Sequence, residues 1–393
     1  MIKIQNISDN IVFGALKFIK HGQLKLINFN GTKYCFGESN NNLNVEVVIN
    51  KPGFTFNIIK NGSSGLAESY IRGDFETNNL SDLIELTAKN IQIVHKFSGL
   101  LDFSFINSIK SIFIKNTIKQ SKKNISKHYD LGNEFFSLWL DKTLTYSSAI
   151  FENNLNNLEE AQINKYKKLT HLLKPKNGDK ILEIGCGWGG FAEYLGKNFD
   201  VKLDCITISK KQFEFAKDRI QKNHLNEKVN IQLMDYRDIK KKYNSIASIE
   251  MIEAVGKNYL KNYFQIIKEN LHEKGVAGIQ AITIDDKLFD RYKNNEDFIQ
   301  KYIFPGGFLP SRKSLYDNAI DVGLKLDNYN SYGLHYSNTL TMWRSEFLKK
   351  WEEISKQGFD LTFKRMWNFY LSYCEAGFKS KNIDLIQFSL QNR

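Results

Sequence analysis

Proline and cysteine are both scarce: the 393 residues hold four of each. Cys35, Cys186, Cys205 and Cys374 are scattered, with no Cys-x-x-Cys pair. That spacing excludes a disulfide framework and a zinc-finger ligand set, and reads as reduced thiols of a cytosolic protein. No apolar run approaches the roughly 20 residues that a membrane-spanning helix requires. Residues 1–20 lack an uninterrupted apolar stretch followed by a small-residue cleavage site, so no signal peptide is read there. Internal repeats and low-complexity tracts are absent too. Acidic residues run short, 43 against 55 basic ones, which leaves a net charge of +12. What remains, 42% hydrophobic and 25% charged, fits a globular chain long enough for two domains.

The excess positive charge is concentrated. Residues 106–127 contain Lys110, Lys115, Lys119, Lys122, Lys123 and Lys127 and no acid, with Ile106, Ile109, Ile112, Phe113 and Ile114 interleaved at roughly helical spacing. A basic amphipathic segment of this kind lies on an anionic membrane surface, each lysine contributing about 1 kcal/mol. The same pattern serves an interdomain helix with one packed face and solvated lysines. Nucleic acid is disfavoured, because no helix-turn-helix, zinc or RNP pattern accompanies the charge.

Residues 1–105 read as a small α+β domain. Gln23–Phe29 and Thr32–Phe36 flank Asn30-Gly31, a hairpin whose Asn-Gly pair favours a type I′ turn. Further β-like segments fall at 45–49 and 54–59, and a helical pattern at 80–94. Beyond the basic connector, a helix over 158–173 precedes alternating strands (180–184, 201–206, 229–233, 245–250, 275–284) and helices (189–197, 209–223, 258–271). Strands alternating with helices predict a parallel α/β sheet. From about 338 the chain reads as mostly helical and rich in aromatics.

The most informative stretch is Leu182-Glu183-Ile184-Gly185-Cys186-Gly187-Trp188-Gly189-Gly190. A buried strand runs into a glycine turn and then into a helix, the layout of a nucleotide-binding βα unit. Glu183 is expected at the strand's carboxyl end, facing the ligand crevice. A carboxylate there suits a sulfonium and ammonium ligand, S-adenosylmethionine (SAM), better than dinucleotide phosphates; the alternative is a solvated strand-end charge. The next strand ends in Thr207-Ile208-Ser209 with Gln212 following, where a dinucleotide enzyme usually carries an acid for the ribose. Asp235-Tyr236-Arg237-Asp238 offers stacking and hydrogen bonding to adenine. Glu250 and Glu253, at one strand end, read as an acid/base pair or as two solvated charges.

These residues fall within motifs that resemble the cyclopropane-fatty-acyl-phospholipid and mycolic acid cyclopropane synthases. They are HYDLGNEFF (128–136), LTYSSAIF (144–151), LEIGCGWGGFA (182–192), TISKKQ (207–212), DYRD (235–238), EMIEAVG (250–256), KYIFPGGFLPS (301–311), HYSNTLTMW (335–343) and MWNFYLSYCEAGF (366–378). GLAESYIRGDFETNNL (65–80) resembles the N-terminal domain of the longer bacterial members.

The resemblance implies a Rossmann-like class I SAM-dependent methyltransferase core over 128–393, a lipid-engaging accessory domain over 1–105 and a connector over 106–127. It implies a methylene transfer from SAM to a cis double bond of phospholipid acyl chains, giving a cyclopropane. By motif, Tyr146, Ser147, Gly185, Gly187, Thr207, Gln212, Tyr236 and Arg237 would contact SAM, beside Glu183. Ser148, Glu253, Gln280, Ile282 and Tyr336 would hold a catalytic bicarbonate. No metal is implied. The expected place of work is the inner face of the cell membrane, reached from the cytoplasm, with monomer and homodimer both open.

Three departures stand out. Ser148 replaces a usual Cys, Ala254 a common His, and Gln280 a His. They bear on ring closure more than on methyl transfer, so a methylene- or methyl-branched product is the alternative. A small-molecule amine N-methyltransferase and a non-catalytic lipid binder are the remaining readings.

Overall fold

The computed structural model describes residues 2–39, 43–90, 131–152 and 155–392. The basic connector expected over 106–127 lies outside the described residues, as does the start of the HYDLGNEFF motif. In chain order the strands are β1 (Gln23–Ile27), β2 (Lys33–Gly37), β3 (Asn44–Ile49), β4 (Phe75–Thr77), β5 (Lys180–Ile184), β6 (Lys202–Thr207), β7 (Val229–Leu233), β8 (Tyr243–Ile249), β9 (Leu271–Ile284), β10 (Leu324–Ser331) and β11 (Ile383–Asn392). The helices are α1 (Ile2–Leu16), α2 (Phe54–Ile71), α3 (Leu80–Lys89), α4 (Asn133–Ser137), α5 (Leu158–Leu173), α6 (Gly190–Asn198), α7 (Lys210–Lys222), α8 (Leu260–Asn270), α9 (Asp286–Tyr292), α10 (Arg312–Asp321), α11 (Gly333–Lys349), α12 (Trp351–Ser355) and α13 (Leu361–Lys379).

The chain clusters into two units. One comprises the described part of 1–113 together with 295–301 and 351–382; the other comprises 114–294, 302–350 and 383–393. In the first, β2-β1-β3-β4 form a mixed sheet in that order, β1 pairing antiparallel with β2 and parallel with β3. The β1–β2 turn departs from type I′, because Gly31 has a positive φ and Asn30 does not. A type I turn closed by a left-handed glycine meets the same need. Arg365 of α13 ties the unit together: its Nε donates to the Tyr70 carbonyl at 2.6 Å and its guanidinium stacks 4.2 Å from the Tyr70 ring centroid.

The β-like reading of 54–59 is incorrect. That segment opens α2, entered from the left-handed Gly53. The alternation Phe-Thr-Phe spans too few residues to outweigh the helical spacing that continues through Gly65, Ala67 and Tyr70, all buried. The helix kinks at Gly62 (φ 56°, ψ −130°), and the chain folds close enough that a Cβ on Gly65 would lie 2.1 Å from the Asn57 carbonyl oxygen.

The second unit is built on a seven-stranded sheet ordered β10-β11-β9-β8-β5-β6-β7. The five strands β9, β8, β5, β6 and β7 are parallel, as their sequence pattern predicts. β11 inserts antiparallel between β9 and β10, a feature absent from the sequence reading. The reason is chemical. Gln387 and Ser389 interrupt the apolar run of β11 yet are fully buried, while β10 is a largely exposed polar edge.

Apolar residues cover both faces of the parallel strands. Leu182, Ile184 and Ile246 pack toward α8 and α10; Ile181, Leu203 and Cys205 pack toward α5, α6 and α7. Burial on both faces explains the continuous apolar runs read from the sequence. The strand order reverses between β5 and β8, the place where sheets of this kind hold ligands. Among the described residues, no helix is long and apolar enough to cross a membrane.

Gly65→Ala tests the close approach inside α2. Alanine is the better helix former, but its Cβ has no room, so unfolding stability should fall by about 1–3 kcal/mol. A chemical-denaturation midpoint equal to or above that of the wild type would refute this.

Candidate functional site

The glycine turn is the first component. β5 ends at Ile184, and Gly185, Gly187 and Gly189 adopt positive φ before α6 begins. The Gly185 and Cys186 amides both donate to the Ile206 carbonyl at 3.0 Å, pinning the turn to β6. A Cβ on Gly185 would lie 2.8 Å from Met251 Cγ, whereas one on Gly187 would meet no protein atom within 4 Å. The backbone is thus bare toward open space at Gly187. Glu183 is buried rather than solvated, and its Oε2 has no hydrogen-bond partner among the described residues. Burial pushes its pKa up to about 7.

The neighbouring strand ends carry the other expected SAM residues. Thr207 Oγ1 donates to Gln212 Oε1 at 3.0 Å, both side chains buried at the start of α7. Arg237 clamps Asp235 in bidentate fashion (Nε to Oδ1 2.8 Å, Nη2 to Oδ2 2.7 Å), and its guanidinium lies 5.5 Å from the Tyr236 ring centroid. Arg237 therefore spends donors on Asp235, and Tyr236 presents the stacking surface. Tyr146 is walled by Phe136, Trp139 and Trp343, with ring centroids 5.1–5.6 Å away. Trp343 is in edge contact with Tyr336, 6.2 Å between centroids.

The centre of the site is a residue the motif assignment passed over. Glu250, just beyond β8, is half-buried and accepts three hydrogen bonds. Its Oε1 accepts from Gln280 Nε2 at 2.7 Å and from the Ser148 amide at 2.9 Å; its Oε2 accepts from the Tyr336 hydroxyl at 2.6 Å. Ser148, Gln280 and Tyr336 are thus brought together, as the resemblance implies, but on a protein carboxylate. The fourth and fifth residues of that set meet elsewhere: the Ile282 amide donates to Glu253 Oε1 at 2.5 Å, and Glu253 Oε2 is buried without a partner among the described residues. Burial raises the Glu250 pKa against the pull of its donors and of Lys165. Burial, then the adjacent Glu250 charge, pushes Glu253 up to about 8.

Lys165 of α5 is the buried counter-charge. Its Nζ donates to Ser147 Oγ at 2.7 Å and lies 4.7 Å from the Tyr166 ring centroid. Burial lowers its pKa to about 7, opposed chiefly by the Glu250 carboxylate. Gln387 of β11 completes the set, donating to Gln280 Oε1 at 2.8 Å and so turning the Gln280 amide nitrogen toward Glu250. Both residues left signals in the sequence. Lys165 occupies the apolar face of α5, in step with Gln162, Leu169 and Leu172. Gln387 interrupts an apolar strand, and Glu250 was visible as one of two carboxylates at a strand end.

SAM fits this site. The bare turn at Gly187 leaves room for a ligand beside the strand end that carries Glu183. Bicarbonate does not fit: the Ser148 amide, Gln280 Nε2 and Tyr336 hydroxyl assigned to it are engaged by Glu250, and the Ile282 amide by Glu253. Among the described residues, no cluster of His, Cys, Asp and Glu forms a metal site.

Comparison with known proteins supports a SAM-dependent methyltransferase. A family model described as mycolic acid cyclopropane synthetase matches residues 116–388. The cyclopropane-fatty-acyl-phospholipid synthase of Escherichia coli K12 is 34% identical over 350 residues, 87% of this chain and 86% of that one. Tuberculostearic acid methyltransferase UfaA1 of Mycobacterium tuberculosis is 33% identical over 339 residues, 84% and 79% of the two chains. Among solved structures, mycolic acid cyclopropane synthase CmaA1 in complex with SAH and CTAB superposes with a TM-score of 0.65 at 28% identity, covering 69% of this chain and 98% of that one.

The raised pKa of Glu253 has a stability signature. The folded state holds the proton up to about pH 8, whereas an ordinary carboxyl loses it near 4.5. Between those values the folded state binds more protons, so stability falls as pH rises. Glu253→Gln removes that penalty, and its gain in Tm over the wild type should grow steadily from pH 4.5 to pH 8. A gain that is flat across this window would show that Glu253 is ionised in the fold throughout.

Proposed function

The chain belongs to the mycolic acid cyclopropane synthetase family, and from that premise we propose that it adds a methylene carbon from SAM across the cis double bond of unsaturated phospholipid acyl chains. It is a SAM-dependent transferase acting on lipid, with a Rossmann-like methyltransferase core. The observation that carries the finer reading is the carboxyl cluster of buried Glu183 and half-buried Glu250 and Glu253 beside the glycine turn, with the Trp139, Tyr146, Trp343 and Tyr336 rings alongside.

The chemistry explains why such a site is needed. An alkene is a weak nucleophile, so the reacting carbon must be held at near-attack distance from the donor methyl with water excluded. SAM supplies an electrophilic methyl on sulfur. Tyr146, Ser147, Glu183, Gly185, Gly187, Thr207, Gln212, Tyr236 and Arg237 are the residues assigned to hold it. Methyl addition leaves a cation on the acyl chain. Aromatic faces stabilise such a cation by about 2 kcal/mol or more when desolvated, and a dry wall keeps water from trapping it as an alcohol. A base must then take one proton from the added methyl group for the ring to close. A second outcome is a methylene- or methyl-branched chain; the methylene form needs the same methyl transfer and the same proton loss, with a hydride shift between them.

Working on phospholipid also needs access to the bilayer. The basic amphipathic segment 106–127 is assigned that role, holding the chain on an anionic membrane surface.

Expression in a bacterial host lacking its own synthase tests the reaction. Phospholipid fatty acids should gain species one CH₂ heavier than the monounsaturated parents, with cyclopropane protons in the NMR spectrum. Olefinic methylene protons in their place would establish the second outcome, and the absence of any heavier species would defeat the proposal. Gly185→Val, with φ at +82° and a Cβ 2.8 Å from Met251 Cγ, should abolish SAM binding in calorimetry and the product with it. Retained binding would place SAM elsewhere.

A further inference from the structure

We propose that Glu250 is the base of this reaction, its carboxylate replacing an external bicarbonate ion. The inference rests on the proposed function and deepens it. Three donors from three distant segments converge on this one group: the Ser148 amide, Gln280 Nε2 in β9 and the Tyr336 hydroxyl in α11, at 2.9, 2.7 and 2.6 Å. Bicarbonate presents the same planar pair of oxygens with the same charge. One set of donors can hold either anion but not both.

The lone pairs leave room for a proton. A carboxylate has about four acceptor sites; the two on Oε1 take Gln280 and Ser148, and one on Oε2 takes Tyr336. The remaining Oε2 site is the receiving position. Glu250 stands next to the residues assigned to the methyl donor: Met251, the next residue, is the one a Cβ on Gly185 would strike, and the Ser148 amide that donates to Glu250 adjoins Ser147.

The backbone supplies independent support. Glu250 has a φ of +49°, a region that favours glycine. Holding a glutamate there carries strain that the surrounding donors maintain, and such strain gathers at functional positions. A glycine would suit the backbone better, so it is the carboxylate that the arrangement retains.

The step balances without another reactant. The sulfonium methyl bonds to one alkene carbon through the π pair while the C–S pair stays on sulfur, leaving a cation on the second alkene carbon. One methyl proton passes to Glu250 Oε2, and its C–H pair closes the ring. Glu250 then releases the proton to water, one per turnover.

Three forms of the purified full-length chain decide the matter: wild type, Glu250→Gln and Glu250→Gly. Each is assayed with SAM and dioleoyl phosphatidylglycerol vesicles in bicarbonate-free and in bicarbonate-containing buffer. Wild-type turnover should differ between the buffers by less than about twofold, and Glu250→Gln should lose about 10²–10⁴-fold with its SAM affinity retained. Glu250→Gly, whose backbone is relieved, should regain turnover on adding bicarbonate. A wild type that needs bicarbonate, or a Glu250→Gln variant near full turnover, would overturn the assignment. A titration with ¹³C-bicarbonate, followed by NMR without lipid, gives a readout independent of activity. Binding to Glu250→Gly but not to wild type supports the replacement; any other pattern overturns it. If the wild type makes no lipid product in either buffer, the proposed function has failed, and this titration still decides which anion the donors hold.

Discussion

Withdrawing a carboxylate from water is costly unless it is paired and hydrogen-bonded, and the second unit is arranged around Glu250, with Lys165 as its counter-charge. Its three hydrogen bonds reach back to Ser148, across to Gln280 and forward to Tyr336, more than a hundred residues from the first of these. Each donor is itself held. Gln280 is oriented by Gln387, Tyr336 stands in the first turn of α11, and the Ser147–Ser148 segment is tied to α5 through Lys165 and through Gln162, whose Nε2 donates to the Ser147 carbonyl at 2.9 Å. Hydrogen bonds to charged groups contribute about 1.5–3 kcal/mol each, so the network both satisfies the charge and fixes the relative positions of β8, β9 and α11.

The charge balance around this centre is deliberately incomplete. Lys165 opposes Glu250 and Glu183, with Arg219 adding to the opposition at Glu183, while Glu253 feels the Glu250 charge, and burial weakens the charge of Lys165 itself. A ligand bearing a sulfonium and an ammonium group supplies what is missing. Two of the site's carboxyl oxygens, on Glu183 and Glu253, have no hydrogen-bond partner among the described residues, so under the proposed function a cationic donor brings positive charge to a place where the protein supplies little. Departure of the donor's positive charge as the methyl is transferred changes that balance at the moment when a proton must be removed.

Much of this was legible from the sequence, and the exceptions share a cause. The parallel strands β5 to β9 are apolar on both faces and bracketed by glycine, lysine and asparagine, so period and punctuation agree. The glycine turn identified itself by composition. The segment 54–59 misled because a two-residue alternation over six positions cannot be told from the first turn and a half of a kinked helix. β11 was missed because its buried face carries Gln387 and Ser389, polar residues present for hydrogen bonding rather than packing. Ser148, Gln280 and Tyr336 could be picked out by motif, but their common partner could not. Nothing in a linear pattern reveals that three donors meet on Glu250, or that Arg237 spends its fork on Asp235.

The place of β11 in the sheet also sets an order of assembly. Among the described residues β10 pairs within the sheet through β11 alone, and Gln387 of β11 helps to orient the Gln280 side chain. Domains form progressively as a chain is synthesised, N-terminal parts first, yet here the strand between β9 and the edge strand β10 is contributed by residues 383–392. Until that stretch emerges, the partly made sheet has an open β9 edge and an unaligned donor beside its costliest charge. The orientation of the Gln280 donor beside Glu250 thus depends on a stretch made late in translation, which ties the finishing of the site to the finishing of the sheet.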